Sequence, residues 1–501
     1  MLSPLLLLAA FYHLATIGLD YTLYLTLLYF FLSLSSLRHH RALQTQLSKL
    51  IIHENQIHPK DFFDLYYEQL SPWPKPLAKQ GFTLINDLEQ DYRQNKQSKK
   101  SFLSLIKGSL STITLARMAM RAFKNLPAEK ARQSFDALAR LWGRRISQQA
   151  KLQLKTLLPT DFSTLEGKVL LIYNHASTLD FCLNFAALAS VRVKDSKGLT
   201  RPLRPRFIAA RDHFIDNPLI YSWLGVGKAI QKAGMIFINR RQKGQGWAAM
   251  QEAATKLCQK EVEIAVYPQG TRAHAIQNLD GSIWEAGYYS TFNEATWDKP
   301  LGHLKIGTAQ LILDSLLELK KQGQTQLTIL STGIWGAGSA LAKGHLKIKT
   351  QSSITYRVGK AWILKTQDLD QLKKPKEKIP QNQNEENYLK KIQEIQIQLN
   401  QKLLEALDWH LRLLEKTKKT LNLLNFETEK TKKLIQNLEQ AQSQEQSFPF
   451  ILLDRLFSLP KEEWKLFFEK VFQLQEKNWQ EPAWKNLLKE ISQKLSGKKL
   501  I

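Results

Sequence analysis

The sequence predicts an α/β protein with a largely parallel sheet flanked by helices. A membrane helix or helix pair precedes this body, and a helical extension follows it. Three observations predict this arrangement. From about residue 165, the short apolar runs Val169–Tyr173, Ile236–Ile238, Val262–Tyr267 and Leu327–Leu330 alternate with longer helical stretches, the pattern of a parallel sheet with crossover helices. Leu5–Ser36 carries one charged residue, Asp20, and so long an apolar run signals membrane. After Ile363 the chain turns rich in Lys, Gln and Glu, with apolar residues at helical spacing.

The 501 residues suffice for roughly two to four domains. A 43% share of hydrophobic residues excludes a polytopic membrane protein but leaves room for one anchor. The four regions expected are an anchor (1–41), a helical N-terminal region (42–160), the α/β domain (161–366) and a helical, partly coiled-coil-like C-terminal region (367–501). Two cysteines, Cys182 and Cys258, are too few for a disulfide framework or a four-thiolate metal site. No other metal cluster is visible, and neither a metal nor a cofactor is expected.

The net charge is +26, yet the segment after Lys365 holds 24 Lys and Arg against 20 Asp and Glu, and the first 36 residues hold no Lys or Arg. Nearly all the excess therefore falls between residues 37 and 365. A basic body suits nucleic acid, anionic lipid or acidic substrates. No helix-turn-helix, zinc finger or ribonucleoprotein strand is present, so nucleic acid is not the expected partner.

As one helix, Leu5–Ser36 would reach about 48 Å, against about 30 Å of hydrocarbon. It must tilt strongly, or break at Gly18-Leu19-Asp20 into two helices that dip into one leaflet and return. No positive segment precedes it and no small-residue cleavage site ends it, unlike a secretory signal. Arg38, His39, His40 and Arg41 follow at once, which places the remainder on the cytoplasmic side of a membrane.

Residues 42–160 read as mostly polar helix, broken at Pro72, Pro74 and Pro76, with helical apolar spacing in Ala116–Met120 and Phe135–Trp142. Lys373–Gln383 reads as a linker. Beyond it, Tyr388, Ile392, Ile395, Leu399, Leu403 and Leu407 fall at steps of three and four, the stripe of an amphipathic helix or coiled coil that could meet a partner or a second copy. Residues 448–501, with clustered Phe and Trp, should form a small helical end piece.

Three motifs carry chemistry. Tyr173-Asn174-His175-Ala176-Ser177-Thr178-Leu179-Asp180 begins where the run Val169–Tyr173 ends, the place where open α/β sheets bind ligands. Across such a turn His175 and Asp180 can meet. The carboxylate then fixes one imidazole tautomer, and the other nitrogen is free to take a proton from a hydroxyl. His213 and Asp216 form another nearby pair, read as structural. The second motif, Gly234–Arg241, ends a strand in Asn239-Arg240-Arg241, and a guanidinium fork matches phosphate oxygens. In the third, Val266-Tyr267-Pro268-Gln269-Gly270-Thr271-Arg272, Gly270 lets backbone approach a ligand while Thr271 and Arg272 offer donors to an anion.

Taken together, these motifs resemble those of the glycerolipid acyltransferases, typified by the 1-acylglycerol-3-phosphate (lysophosphatidate) acyltransferases. The family pattern runs Asn-His-x-x-x-x-Asp, Gly-x-x-Phe-Ile-Asp-Arg, then Phe-Pro-Glu-Gly-Thr-Arg, in this order and at about these separations. Arg206–Arg211, Lys305-Ile306-Gly307, Leu327–Thr332 and Arg357–Lys360 match further stretches in register, so the resemblance spans about 165–365. The chain departs from the pattern at Gln269, where the family has Glu, and at Asn239, where it has an acid. The connection from Arg272 to Lys305 is also longer, and the fourth motif lacks its proline. These departures bear on the acceptor more than on the reaction.

The resemblance implies a membrane-bound O-acyltransferase that moves a fatty acyl group from acyl-CoA or acyl-carrier protein, as co-substrate, to the hydroxyl of lysophosphatidate, giving phosphatidate. Another lysophospholipid or glycerol 3-phosphate could be the acceptor instead, or the chain could be a catalytically weak membrane-tethered scaffold. In this reading His175 is the base, Asp180 its partner, and Arg240, Gln269, Gly270, Thr271 and Arg272 bind the acceptor. Cys182, on the helix side of the first turn, is not expected to be a nucleophile.

Overall fold

The computed structural model describes residues 100–195, 198–223, 225–239, 245–272, 276–279, 283–284, 304–341, 348–369, 372, 374, 382–444, 446 and 448–497. The expected anchor, residues 42–99 of the 42–160 region, Arg240 and most of the Lys373–Gln383 linker lie outside these residues. Among the described residues no helix is long and apolar enough to cross a membrane.

The chain divides into two compact units. The described part of the first is helical and consists of α1 (Lys100–Asn125), α2 (Ala128–Gln149) up to Arg144, and α5 (Val226–Lys232). The helical spacing of Ala116–Met120 and Phe135–Trp142 is realised in α1 and α2. Phe123 meets Phe135 at 6.2 Å between ring centroids, and the Trp142 indole N–H donates to Thr112 Oγ1 at 2.8 Å.

The second unit is built on a sheet. Its strands are β1 (Gln153–Leu157), β2 (Lys168–Tyr173), β5 (Pro205–Ala210), β6 (Ile236–Ile238), β7 (Glu263–Val266), β10 (Gln326–Trp335), β11 (Ser353–Val358) and β12 (Trp362–Lys365). The order is β1-β11-β10-β2-β7-β5-β6, with β12 beside β10. The neighbours β10, β2, β7, β5 and β6 run parallel. On its far side β10 pairs antiparallel with β12 in its first half and with β11 in its second. Two small ribbons pair β3 (Arg192–Lys194) with β4 (Thr200–Pro202), and β8 (Ile276–Gln277) with β9 (Ile283–Trp284).

The central strands follow from their composition. β2 lies between β10 and β7 with Val169–Tyr173 wholly buried, so both faces must be apolar and the run is continuous. Alternate residues then point to opposite faces. Leu170, Ile172, Ile264, Val266, Leu327 and Ile329 enter one core, where each buried aliphatic side chain contributes about 1.5–3 kcal/mol. Helices α6 (Gln245–Gln259) and α7 (Gly307–Lys321) add Leu257, Leu311 and Leu316 to that core. Smaller helices complete the region: α3 (Leu179–Ala187), α4 (Arg211–Phe214) and α8 (Ala337–Ala340).

Two expectations need correction. The helical region was expected to run to residue 160, but the sheet already includes β1, paired in parallel with β11. β1 is a half-exposed edge strand with Gln153 and Lys155 facing outward, so no apolar run marks it. The second concerns the tail, α9 (Gln383–Leu407), α10 (Trp409–Leu423), α11 (Thr428–Ser443), α12 (Phe448–Ser458), α13 (Lys461–Leu474) and α14 (Pro482–Gly497). The α9 stripe of Tyr388, Ile392, Ile395, Leu399, Leu403 and Leu407 is buried in the core of the sheet, and no coiled-coil seam is left open along it. Tyr388 Oη donates to Asp314 of α7 at 2.6 Å, and Lys374 Nζ pairs with the same carboxylate at 2.5 Å. Helices α12–α14 pack around Phe450, Phe457, Trp464, Phe467, Phe468 and Trp484 as a continuation of that core. Helical spacing reveals a buried stripe, and here the α/β domain buries it.

Candidate active site

The first motif forms the turn between β2 and α3, at the C-terminal end of the parallel strands. Asn174 is fully buried and works as one more ladder position. Its Nδ2 donates to the Ile334 carbonyl at 2.8 Å, and the Ile334 N–H donates to its Oδ1 at 2.5 Å. This pair of bonds ties the end of β2 to the end of β10 immediately before His175.

His175 and Asp180 meet as the spacing predicts. The His175 Nδ1–H donates to Asp180 Oδ2 at 2.9 Å. That oxygen also accepts the backbone N–H groups of Ala176 and Ser177, both at 2.8 Å. Asp180 is fully buried while the His175 side chain keeps 21% of its exposure. The three donors hold the carboxylate in one orientation. A carboxylate can only accept, so Nδ1 carries the proton and Nε2 is left to receive one. Ser177 fixes the turn, since its hydroxyl donates to the Leu341 carbonyl at 2.8 Å and accepts the Leu179 N–H at 3.2 Å.

The third motif comes to the same place from the adjacent strand β7. Gln269 is buried, and its Oε1 accepts the His175 backbone N–H at 3.0 Å. An amide oxygen does this as well as a carboxylate would, so the exchange of Glu for Gln leaves the positioning bond intact. Gly270 adopts φ +70° and its N–H closes a turn onto the Tyr267 carbonyl at 2.9 Å. A Cβ on Gly270 would come within 2.9 Å of Lys305 Cε, so the Lys305 chain covers this turn. The Lys305 N–H donates to the Pro268 carbonyl at 2.8 Å, which ties the start of α7 to the motif. Thr271 and Arg272 follow in the same turn and are half-buried.

Two contributors went unread in the sequence. The Tyr267 ring stacks on the His175 imidazole, with centroids 4.2 Å apart and planes 23° apart. Its hydroxyl accepts from Asn184 Nδ2 of α3 at 2.7 Å. Burial pushes the Tyr267 hydroxyl well above its ordinary range, so it stays protonated. The position at the end of β7, next to the end of β2, was the available signal, but the pairing of β2 with β7 comes from the sheet order.

The second motif is present in part. β6 runs to Ile238 with Asn239 half-buried beyond it, whereas Arg240 lies outside the described residues. Asp216 pairs with Arg211 Nε at 3.0 Å. Cys182 is buried, its Sγ–H donates to the Leu179 carbonyl at 3.2 Å, and burial pushes its thiol up to about 12. Such a thiol carries almost no thiolate.

The Acyltransferase family model matches residues 145–296, which contain all three motifs. The crystal structure of the 1-acyl-sn-glycerophosphate (LPA) acyltransferase PlsC from Thermotoga maritima is similar at a TM-score of 0.32 and 17% sequence identity, over 61% of this chain and 97% of that one. No curated protein matches the chain. Over residues 145–296 the chain is thus similar to the Acyltransferase family.

Proposed function

We propose that the chain transfers a fatty acyl group from a thioester donor, acyl-CoA or acyl-carrier protein, to the hydroxyl of a lysophosphatidate-like acceptor, giving phosphatidate. The observation that carries this reading is the His175–Asp180 pair at the end of β2, with Nδ1 bonded to a buried carboxylate at 2.9 Å. His175 Nε2 takes the acceptor's hydroxyl proton as its oxygen attacks the thioester carbonyl. Asp180 stabilises the imidazolium, which then returns the proton to the leaving thiolate. Base catalysis of this kind contributes about 10²–10⁴-fold. The thioester is already activated, so the protein needs to supply only the base and the positioning.

Arg272, with Gly270 and Thr271 beside it, is the proposed phosphate ligand, joined by Arg240. The stretch Leu5–Ser36, with Asp20 as its one charge, and the basic region 37–365 support a site on the cytoplasmic surface of a membrane. A lysolipid acceptor stays there, and each nearby cation adds about 1 kcal/mol of attraction to anionic lipid. The test is an assay of the full chain in detergent or vesicles, with labelled acyl donors and a panel of lysophospholipids and glycerol 3-phosphate. Labelled product from a phosphate-bearing acceptor is expected. No product from any acceptor would leave the scaffold reading.

A further inference from the structure

We propose that the corner between α9 and α10 positions the catalytic turn through the end of β10, with Arg412 as a positioning residue. The inference rests on the acyl-transfer reading for its kinetic test but not for its structural one. Ile334 makes two hydrogen bonds to the Asn174 side chain, and the residues on either side of it touch the corner. At Gly333 a Cβ would lie 2.7 Å from the Ala406 carbonyl carbon and 2.9 Å from Leu407 Cα, so the last turn of α9 lies directly on the strand backbone. At Trp335 the Arg412 guanidinium stacks on the ring at 4.3 Å, a cation over the electron-rich ring face.

The corner itself is held by two arginines. Asp408 turns the chain at φ +50°, a left-handed conformation unfavourable for a non-glycine residue unless its surroundings hold it. Arg357, opposite Gly333 in the ladder of β10 and β11, pairs with the Asp408 carboxylate at 2.8 Å and donates to the Glu405 carbonyl at 2.5 Å. Arg412 Nε donates to the Leu407 carbonyl at 2.9 Å. Both cations meet the end of α9 where the helix dipole favours them. Gly333, Trp335 and Arg357 thus fix the corner against β10 on both sides of Ile334. Ile334 in turn sets the height of Asn174, one residue before His175. The helical tail is therefore a working part of the catalytic domain.

The test compares wild type with Arg412→Met and Arg412→Lys in the full chain. Three quantities are measured: kcat and KM for acyl transfer, Tm, and the rate of carbethoxylation of His175 by diethyl pyrocarbonate without substrate, read by mass spectrometry of its peptide. Arg412→Met should lower kcat about tenfold, because small misplacements of a reacting group are costly. KM should stay within about twofold, and the labelling rate of His175 should change about threefold. Arg412→Lys keeps a cation over Trp335 and should recover most of kcat. If Arg412→Met does not fold, Trp335→Leu removes the same contact from the strand side. Unchanged kcat per folded molecule together with unchanged His175 labelling overturns the proposal, even if Tm falls. If wild type transfers no acyl group, the functional reading fails, while the labelling comparison still decides this one.

Discussion

Gln269 holds His175 by its main chain: the Oε1 of one accepts the backbone N–H of the other at 3.0 Å. The bond joins the end of β7 to the end of β2, so the third motif positions the first. The side chain whose lost charge was expected to disturb the acceptor site has a positioning task that an amide performs as well as an acid.

Replacing Gln269 by Leu leaves a buried N–H without its acceptor, at a cost of about 1–3 kcal/mol. A lower Tm and a lower kcat are expected in the Leu variant. Gln269→Glu keeps an acceptor and should retain more stability than Leu. Its charge near Arg272 should raise KM for a phosphate-bearing acceptor. A Leu variant as stable and as active as wild type would show that the bond to His175 positions nothing.

His175→Ala should remove about 10²–10⁴-fold of the acyl-transfer rate with little change in Tm, since the imidazole is partly exposed. Asp180→Asn places an amide where one carboxylate oxygen accepts three N–H groups, so both rate and Tm should fall. Circular dichroism melts alongside single-turnover assays separate the two cases. Activity of His175→Ala within about threefold of wild type excludes it as the base.

Arg272→Ala should raise KM for a phosphate-bearing acceptor and have a smaller effect on an analogue without phosphate, because a guanidinium matches phosphate through paired N–H donors. Steady-state kinetics with both acceptors check this. Equal effects on the two would remove Arg272 from the phosphate site.

His410 predicts a pH dependence of stability. Its ring stacks on Phe450 at 4.3 Å, its Nε2 is buried without a partner among the described residues, and burial lowers its pKa to about 4. The unfolded chain binds this proton near pH 6.5, so as pH falls it is protonated before the folded chain. Stability attributable to His410 is therefore intact above about pH 6.5, declines down to about pH 4 and then levels off. His410→Phe keeps the stacking and should flatten Tm against pH in that window. Parallel Tm curves for variant and wild type would rule His410 out as the source of the slope.

By itself the sequence determined the class of the sheet and the meeting of His175 with Asp180. Val169–Tyr173 must be a strand buried on both faces, because a run of five apolar residues has no polar side to give to water. His175 and Asp180 meet because a strand-to-helix turn brings residues five apart together, a local constraint visible in the spacing alone. Only the tertiary structure decided which distant segments meet at that turn. Tyr267 stacks on His175, Gln269 binds its backbone and Ile334 bonds Asn174 because β2 lies between β7 and β10, and strand order leaves no periodic trace in the chain. The stripe on α9 shows the same division. Its spacing required a buried face, but whether a partner, a second copy or the sheet covers that face depends on long-range packing. Gly333 admits the α9 backbone onto β10, and the sheet covers it.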